Sequence, residues 1–290
     1  MGLATIPNAQ VSQATSAATV HSAQGRDFSS YQHPVTSGDL QSLSFAYTRA
    51  SDWSQYPNMH VDVNAQRNWA EMKSFGLHRG AYWYFYPQLD PVAQARFFFN
   101  TVKSFGLLNG DMLVCDMEEL PNVDLNRATK TFMGELDSLC QASNIFAITM
   151  VYTNHNVGQH LTSCTKWPLW FAWPNSTAPP ASLISPWKDW TVWQWGEVGG
   201  VDADAFNGTS TDMNAWVVNQ SGPAPEGPYR HVADGTRSLY GICKNRHESM
   251  DEVIATTLGA TEISTEHLDE FNSYIRRLMP SGMVYYTKTP

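Results

Sequence analysis

The triplet Asp116-Met117-Glu118 carries the clearest chemical signal in the chain. It follows the apolar run Met112-Leu113-Val114-Cys115, which reads as a buried strand. Side chains two residues apart on a strand share one face, about 6.5 Å apart along it. Two carboxylates so placed disfavour each other's ionisation, so one proton is held towards neutral pH. A held proton beside a carboxylate is what acid-assisted cleavage of a glycosidic bond requires. Taken alone, the triplet also fits a solvated loop end. Its company narrows the choice.

Stepping outward along the chain, strand-like and helix-like segments alternate. Phe45 to Ala50 reads as a strand, and Asn64 to Phe75 has helical spacing through Ala65, Trp69, Met72 and Phe75. Gly80 to Tyr86 is an aromatic strand, Pro91 to Phe105 a helix, Met112 to Cys115 a strand and Leu125 to Ser143 a helix. Three further strands are predicted at Ile145 to Tyr152, Leu169 to Trp173 and Thr191 to Trp195. This order predicts an α/β fold, an irregular (β/α) barrel in which the later crossings are too short for full helices. Barrel enzymes place chemistry at the C-terminal ends of several strands. Those ends supply Asp27, then Arg49 and Asp62, then Tyr82 and Tyr84, then Asp116 and Glu118. Tyr152, Trp170, Gln194, Asp202 and Asp204 follow. Of the aromatic residues on these strands, only the inward half can stack on a sugar, and the rest must face the helical shell.

The motifs, in order, are Asp27-Phe28-Ser29-Ser30-Tyr31-Gln32, Tyr47-Thr48-Arg49-Ala50-Ser51, Gly80-Ala81-Tyr82-Trp83-Tyr84-Phe85 and Asp116-Met117-Glu118. They continue with Val151-Tyr152-Thr153-Asn154, Leu169-Trp170-Phe171-Ala172, Trp193-Gln194-Trp195 and Val201-Asp202-Ala203-Asp204-Ala205-Phe206. Over about Gly25 to Val218 this set resembles glycoside hydrolase family 25, the Chalaropsis-type lysozymes, which are N-acetylmuramidases. The resemblance implies Glu118 as general acid, with Asp116 tuning it and Asp27 and Asp202 completing a catalytic acidic cluster. It implies substrate binding by Arg49, Asp62, Tyr82, Tyr84, Tyr152, Trp170, Gln194 and Asp204. Two positions depart from the family pattern. Trp83 stands where a histidine is common, which bears on a sugar subsite, and Asp204 stands where asparagine is usual, which adds a charge near the cleft. A covalent intermediate, assistance by the N-acetyl group and direct attack by water all remain open. A carboxylate separation of about 5 Å favours retention and about 6.5–9.5 Å favours inversion.

Composition sets outer bounds. The chain has 290 residues, 42% hydrophobic with 11 Trp, 16% charged and a net charge of -9. That balance argues against non-specific nucleic-acid binding and against a polybasic membrane anchor. No stretch approaches the roughly 20 apolar residues of a membrane span. The histidines show no metal-ligand spacing, so neither a metal nor another cofactor is expected. Cys140 and Cys164 are a conceivable disulfide that the sequence leaves undecided.

Four segments are expected. Residues 1–24 form an Ala/Ser/Thr/Gln-rich flexible arm without the basic and apolar parts of a signal peptide. Residues 25–220 form the catalytic barrel. Residues 221–228, rich in Pro and Gly, form a linker, and residues 229–290 form a small α+β module resembling LysM, a glycan-gripping domain. The expected whole is a peptidoglycan hydrolase of phage endolysin type, made in a host cytoplasm and reaching the wall after holin-type release. The alternatives are a hydrolase of another N-acetylated glycan such as chitin, and a non-catalytic wall-binding or virion protein on the same scaffold.

Overall fold

A computed structural model describes residues 23–55 and 57–220, and the strand segments 238–241 and 284–287. The first unit is a closed barrel. Its strands are β1 (Gln24–Phe28), β2 (Phe45–Gln55), β4 (His78–Tyr84), β5 (Met112–Asp116), β6 (Ile148–Asn154), β7 (Leu169–Ala172), β8 (Val192–Val198) and β9 (Val201–Phe206), with β3 (Asn58–Val61) hairpinned onto β2 outside the ring. From β1 through β8 the ring neighbours run parallel. β9 runs antiparallel between β8 and β1 and closes the barrel.

Local sequence explains this irregular closure. Gly199 and Gly200 both take positive φ, 66° and 81°, between paired Val198 and Val201. Two left-handed residues make a two-residue hairpin whose twist suits the flanking strands. A hairpin returns the chain antiparallel at once, where a parallel return would need a long crossover. The Gly-Gly pair between two strand-like runs is a readable signal that the periodicity scheme passed over.

The longer helices lie early in the chain. They are α2 (Ala65–Ser74), α3 (Pro91–Ser104) and α4 (Leu125–Ala142), after the short α1 (Ser37–Leu40). Asp90 caps α3 through Val92 and Ala93 N–H with Pro91 in the first turn, and Asp124 caps α4 through Arg127 N–H. The later crossings carry only α5 (His155–Gly158) and α6 (Ala181–Ile184), and α7 (Ser210–Gln220) follows β9. The expected fold class and its short late crossings are therefore observed.

Two cores result from strand alternation. Outward residues such as Trp83, Phe85, Leu113, Cys115, Val151, Phe171 and Trp193 pack with Phe98, Phe132, Met133 and Leu136 of α3 and α4. Inward residues Phe45, Tyr47, Met112, Val114, Ile148, Met150 and Val192 fill the barrel. Gly80 makes room for this filling, since a Cβ there would run into the Tyr47 ring. β1 starts at Gln24 and Ala23 is fully buried in the inner core, so at least the last two residues of the expected arm belong to the barrel. Cys140 and Cys164 are buried free thiols, so no disulfide joins them.

The chain from Ser221 to Pro290 belongs to a second unit. Within it β10 (Ser238–Gly241) pairs antiparallel with β11 (Val284–Thr287). The expected linker lies outside the described residues. So do the other residues of the segment expected to form a LysM-like module.

Candidate active site

A cleft of about 390 Å³ opens at the C-terminal mouth of the barrel. Asp116 ends β5. Met117 keeps one more ladder-like bond, its N–H donating to Tyr152 O at 2.9 Å, so in-out alternation persists past the strand. Met117 is buried in the outer core, and Asp116 and Glu118 both line the cleft. Asp27 comes from the end of β1 and Asp202 from the start of β9, where the two are register partners. The antiparallel turn is what brings Asp202 to the same mouth. The four expected catalytic acids thus line one cavity.

Burial shapes their protonation. The Asp27 carboxyl is pushed up to about 7, first by burial and then by Asp202, while the Gln194 and Asp204 side chains pull it back. Burial, then Glu118 and Asp27, hold Asp116 well above the usual carboxylate range, and its Oδ1 is buried without a hydrogen-bond partner. Glu118 is raised by burial, then by Glu119 and Asp202. Asp202 is raised by burial and by Glu197. A set of crowded acids of this kind retains protons that isolated carboxylates would lose.

The floor is a hydrogen-bonded aromatic layer. Tyr152 Oη donates to Gln194 Oε1 at 2.9 Å, and Gln194 Nε2 donates to Asp27 Oδ2 at 2.9 Å. Gln194 therefore orients Asp27 while lining the cleft. Trp170 stacks on Tyr47 with ring centres 4.2 Å apart and meets Tyr152 and Tyr82 edge-on. With 2% exposure, it is a packed floor residue and offers little face to a sugar. Tyr82 and Tyr84 line the wall, and Tyr84 Oη donates to Glu119 Oε1 at 2.6 Å.

Arg49, the register partner of Tyr82 on β2, also lines the cleft. Its Nε donates to Asp62 Oδ2 at 3.0 Å, Nη1 lies 3.4 Å from Asp52 Oδ2, and Nη2 donates to Ser30 Oγ at 2.8 Å. Its guanidinium also sits 4.9 Å from the Tyr31 ring centre. Asp62, expected to bind substrate, does not line the cleft. Buried beneath the wall, it accepts from Arg49, Ser30 N–H and Asn64 N–H, tying β2 to the loop after β1. An acid that close to a guanidinium and two amides is held away from the cleft by its own partners.

Two further expectations change. Asp204 is fully buried and does not line the cleft, so it adds no charge at the substrate surface. It follows Asp202 on the inward face, but β9 carries it down into the barrel, where Trp170 Nε1 donates to its Oδ1 at 2.8 Å. Trp83 is also absent from the cleft. It points to the helical shell and donates to Gln94 Oε1 at 2.9 Å, because strand alternation turns it away from Tyr82 and Tyr84.

The lining residues missed as site residues are Ser29, Tyr31, Gln32, Asp52, Ser54 and Tyr86. Tyr86 continues the two-residue rhythm of Tyr82 and Tyr84, a signal that was present. Asp52 had none: a register shift between Arg49 and Ser51 re-aims the strand, so the next inward residue comes three places on. Among the described residues no group of three or more His, Cys, Asp or Glu side chains is arranged to hold a metal ion. Nor is any described helix long and apolar enough to cross a membrane.

A family model, glycosyl hydrolases family 25, matches residues 26–203. Among solved structures, the chain is similar to a muramidase from Acremonium alcalophilum, at 22% identity and TM-score 0.53, over 68% of this chain and 99% of that one. It is similar to the spore cortex lytic enzyme SleM of Clostridium perfringens at 22% identity and TM-score 0.51, over 63% and 67%. A family 25 glycosyl hydrolase from Bacillus anthracis matches at 18% identity and TM-score 0.51, over 67% and 94%. At these identities the likeness is one of fold. No curated protein matches the chain.

Proposed function

We propose that this chain, which belongs to glycosyl hydrolases family 25, is a peptidoglycan hydrolase cutting the β-1,4 bond between N-acetylmuramic acid and N-acetylglucosamine. Family membership makes it a glycoside hydrolase. The cluster of Asp27, Asp116, Glu118 and Asp202 in one cleft carries the reading. The names of its fold relatives, a muramidase and a spore cortex lytic enzyme, support the same substrate.

Glu118 is the proton donor in this reading. It is the half-buried member of the triplet, it borders open cleft, and burial with neighbouring Glu119 and Asp202 raises its carboxyl. A raised carboxyl keeps its proton towards neutral pH, as a general acid must, and Glu118 is the raised acid of the triplet that borders open cleft. Its proton passes to the glycosidic oxygen as that oxygen leaves the sugar. Asp116 and Asp27, in their carboxylate forms, stabilise the positive charge that the sugar gains, and Gln194 holds Asp27 in place. Water then bonds to the anomeric carbon and its proton returns to a cleft carboxylate, restoring the acid. Tyr82, Tyr84 and Tyr152 line the space for the glycan.

Residues 229–290 are the wall-binding part of the same proposal, and release of the whole chain onto the wall as a phage endolysin completes it. Both rest on the sequence reading.

The test is product analysis. The full chain is incubated with purified peptidoglycan and, separately, with chitin, and fragments are read by mass spectrometry after borohydride reduction. Reduced muramic acid ends from peptidoglycan are expected. Products from chitin alone would overturn the substrate, and no product from either would overturn the activity. Removing residues 223–290 is expected to spare cleavage of soluble fragments and to weaken clearing of intact walls, through lost local concentration.

A further inference from the structure

Asp204 is left over by this mechanism. It is fully buried, it does not line the cleft, and no lysine or arginine pairs with it among the described residues. Burying an unpaired carboxylate costs several kcal/mol, so such a group needs either a partner or a proton.

Its surroundings decide between the two. On β9, Asp202 is the register partner of Asp27, and Asp204, two residues on, faces Gly25 one step deeper. Trp170 Nε1 donates to Asp204 Oδ1 at 2.8 Å. The other oxygen, Oδ2, is buried and receives no donor. Diagonally across the β1–β9 pair, on the same inward face, stands the carboxyl of Asp27, itself an acceptor, and each of these two acids acts on the other's titration. Asp27 Oδ2 already accepts from Gln194 Nε2. Two carboxyls in contact can bond only when one of them carries a proton. Tyr47, the nearby phenol, already donates to Met112 Sδ and supplies nothing.

We infer that Asp204 is a positioning residue held as the neutral acid, and that its proton is donated to Asp27 and fixes that carboxylate at the edge of the cleft. The inference rests on the glycosidase reading of the cleft. Asp27 is then held between Gln194 and Asp204, with Trp170 locking Asp204 in turn. The direction of titration agrees. Burial and then Asp27 hold the Asp204 carboxyl well above the carboxylate range, and Asp204's bond draws Asp27 down. The other titratable groups acting on Asp27 are Asp202, Asp116 and Glu118, all acids, and the phenols Tyr47, Tyr82 and Tyr152.

The experiment uses full-length chain carrying carbon-13 in its aspartate carboxyls, in wild type, D204N and D204A, with D27N to assign Asp27. Each carboxyl is titrated by carbon-detected NMR, a readout independent of substrate. Of the aspartate signals still protonated at pH 7 in wild type, one should be missing in D204N. Asn donates an N–H in the same place without charge, so the Asp27 midpoint should stay in D204N and rise by roughly one unit in D204A, where the donor is gone. Rates on peptidoglycan fragments should follow. D204A should lose roughly ten- to a hundred-fold in kcat, the scale of a hydrogen bond to a charged group, with KM little changed, and D204N should restore most of it.

A fall of the Asp27 midpoint in D204N would mean that Asp204 is ionised and would overturn the inference. So would an Asp204 signal titrating in the ordinary range. If wild type cleaves no glycan while Asp204 stays protonated, the glycosidase reading fails and the proton assignment stands. If D204A does not fold, the wild-type titration and D204N still decide.

Discussion

At the base of the barrel, Asp111 takes a two-pronged grip from Arg79, Nε to Oδ1 and Nη2 to Oδ2, each 2.9 Å. Leu108 N–H adds a third bond, and the Arg79 guanidinium lies 4.0 Å over the Trp69 ring. At the mouth and just beneath it, Asp27, Asp116 and Asp204 are as deeply buried, yet none is in an ion pair among the described residues. The base compensates its charge with a cation and fixed donors. The mouth carboxyls, outside any ion pair among the described residues, are raised by burial and by one another, whereas Arg79 pulls Asp111 back against its burial. One end is built to stay as it is, and the other is built to exchange protons with whatever enters the cleft.

The sharpest way to break this contrast is Glu118→Gln. It keeps size and hydrogen bonding and removes the donated proton. Cleavage of peptidoglycan should fall by roughly 10²- to 10⁴-fold, the usual weight of a general acid. Thermal melting should show an intact fold. More than about a tenth of wild-type rate in the folded variant would remove Glu118 from the role.

At the base the reverse is expected. Arg79→Met leaves Asp111 buried without its cation and should destabilise the barrel by about 3–5 kcal/mol, read by urea unfolding. The rate per folded molecule should be unchanged. Converting Asp111 to Leu in the same chain should recover much of the loss, since an apolar pair needs no compensation. An Arg79→Met barrel as stable as wild type would mean that the base does not depend on its ion pair.

pH separates the two ends further. Asp27 rises from 3.8 to about 7 in the fold, so between those values the folded chain holds a proton that the unfolded chain has released. Stability from this group is full below about pH 4 and is lost as pH climbs through about 7. Asp116, Glu118 and Asp204 are shifted the same way. Asp27→Asn should therefore gain melting temperature over wild type at pH 8 relative to pH 4. Equal differences at both would contradict a protonated mouth. Activity should peak on the acid side and decline as the last mouth proton leaves, measured at fixed ionic strength from pH 3 to 9.

The smallest effect is expected at Trp83. Its Nε1 bonds Gln94, which still receives Tyr86 N–H at 3.0 Å, so Trp83→Phe should cost about 1 kcal/mol and leave KM alone. A changed KM would bring Trp83 back towards the sugar.

Spacing alone made much of this legible. The triplet at 116–118, the aromatic rhythm of Tyr82 and Tyr84 and the caps and apolar stripes of the helices are local properties, because a strand repeats every two residues and a helix every 3.6. Gln194, Tyr152 and the four cleft acids were named from strand ends and do meet in one cavity. What spacing cannot carry is depth. Asp202 and Asp204 share a face and differ only in height on β9, yet one borders the cleft and the other lies sealed against Trp170. Asp62 and Asp52 exchanged places for a similar reason: a bulge in β2 turned Asp52 inward, while Arg49 and two amides drew Asp62 beneath the wall. Residue types and periods determined which groups could reach the mouth. Barrel closure and burial decided which of them meet solvent, because both depend on strands far apart in the chain and on the water they jointly exclude.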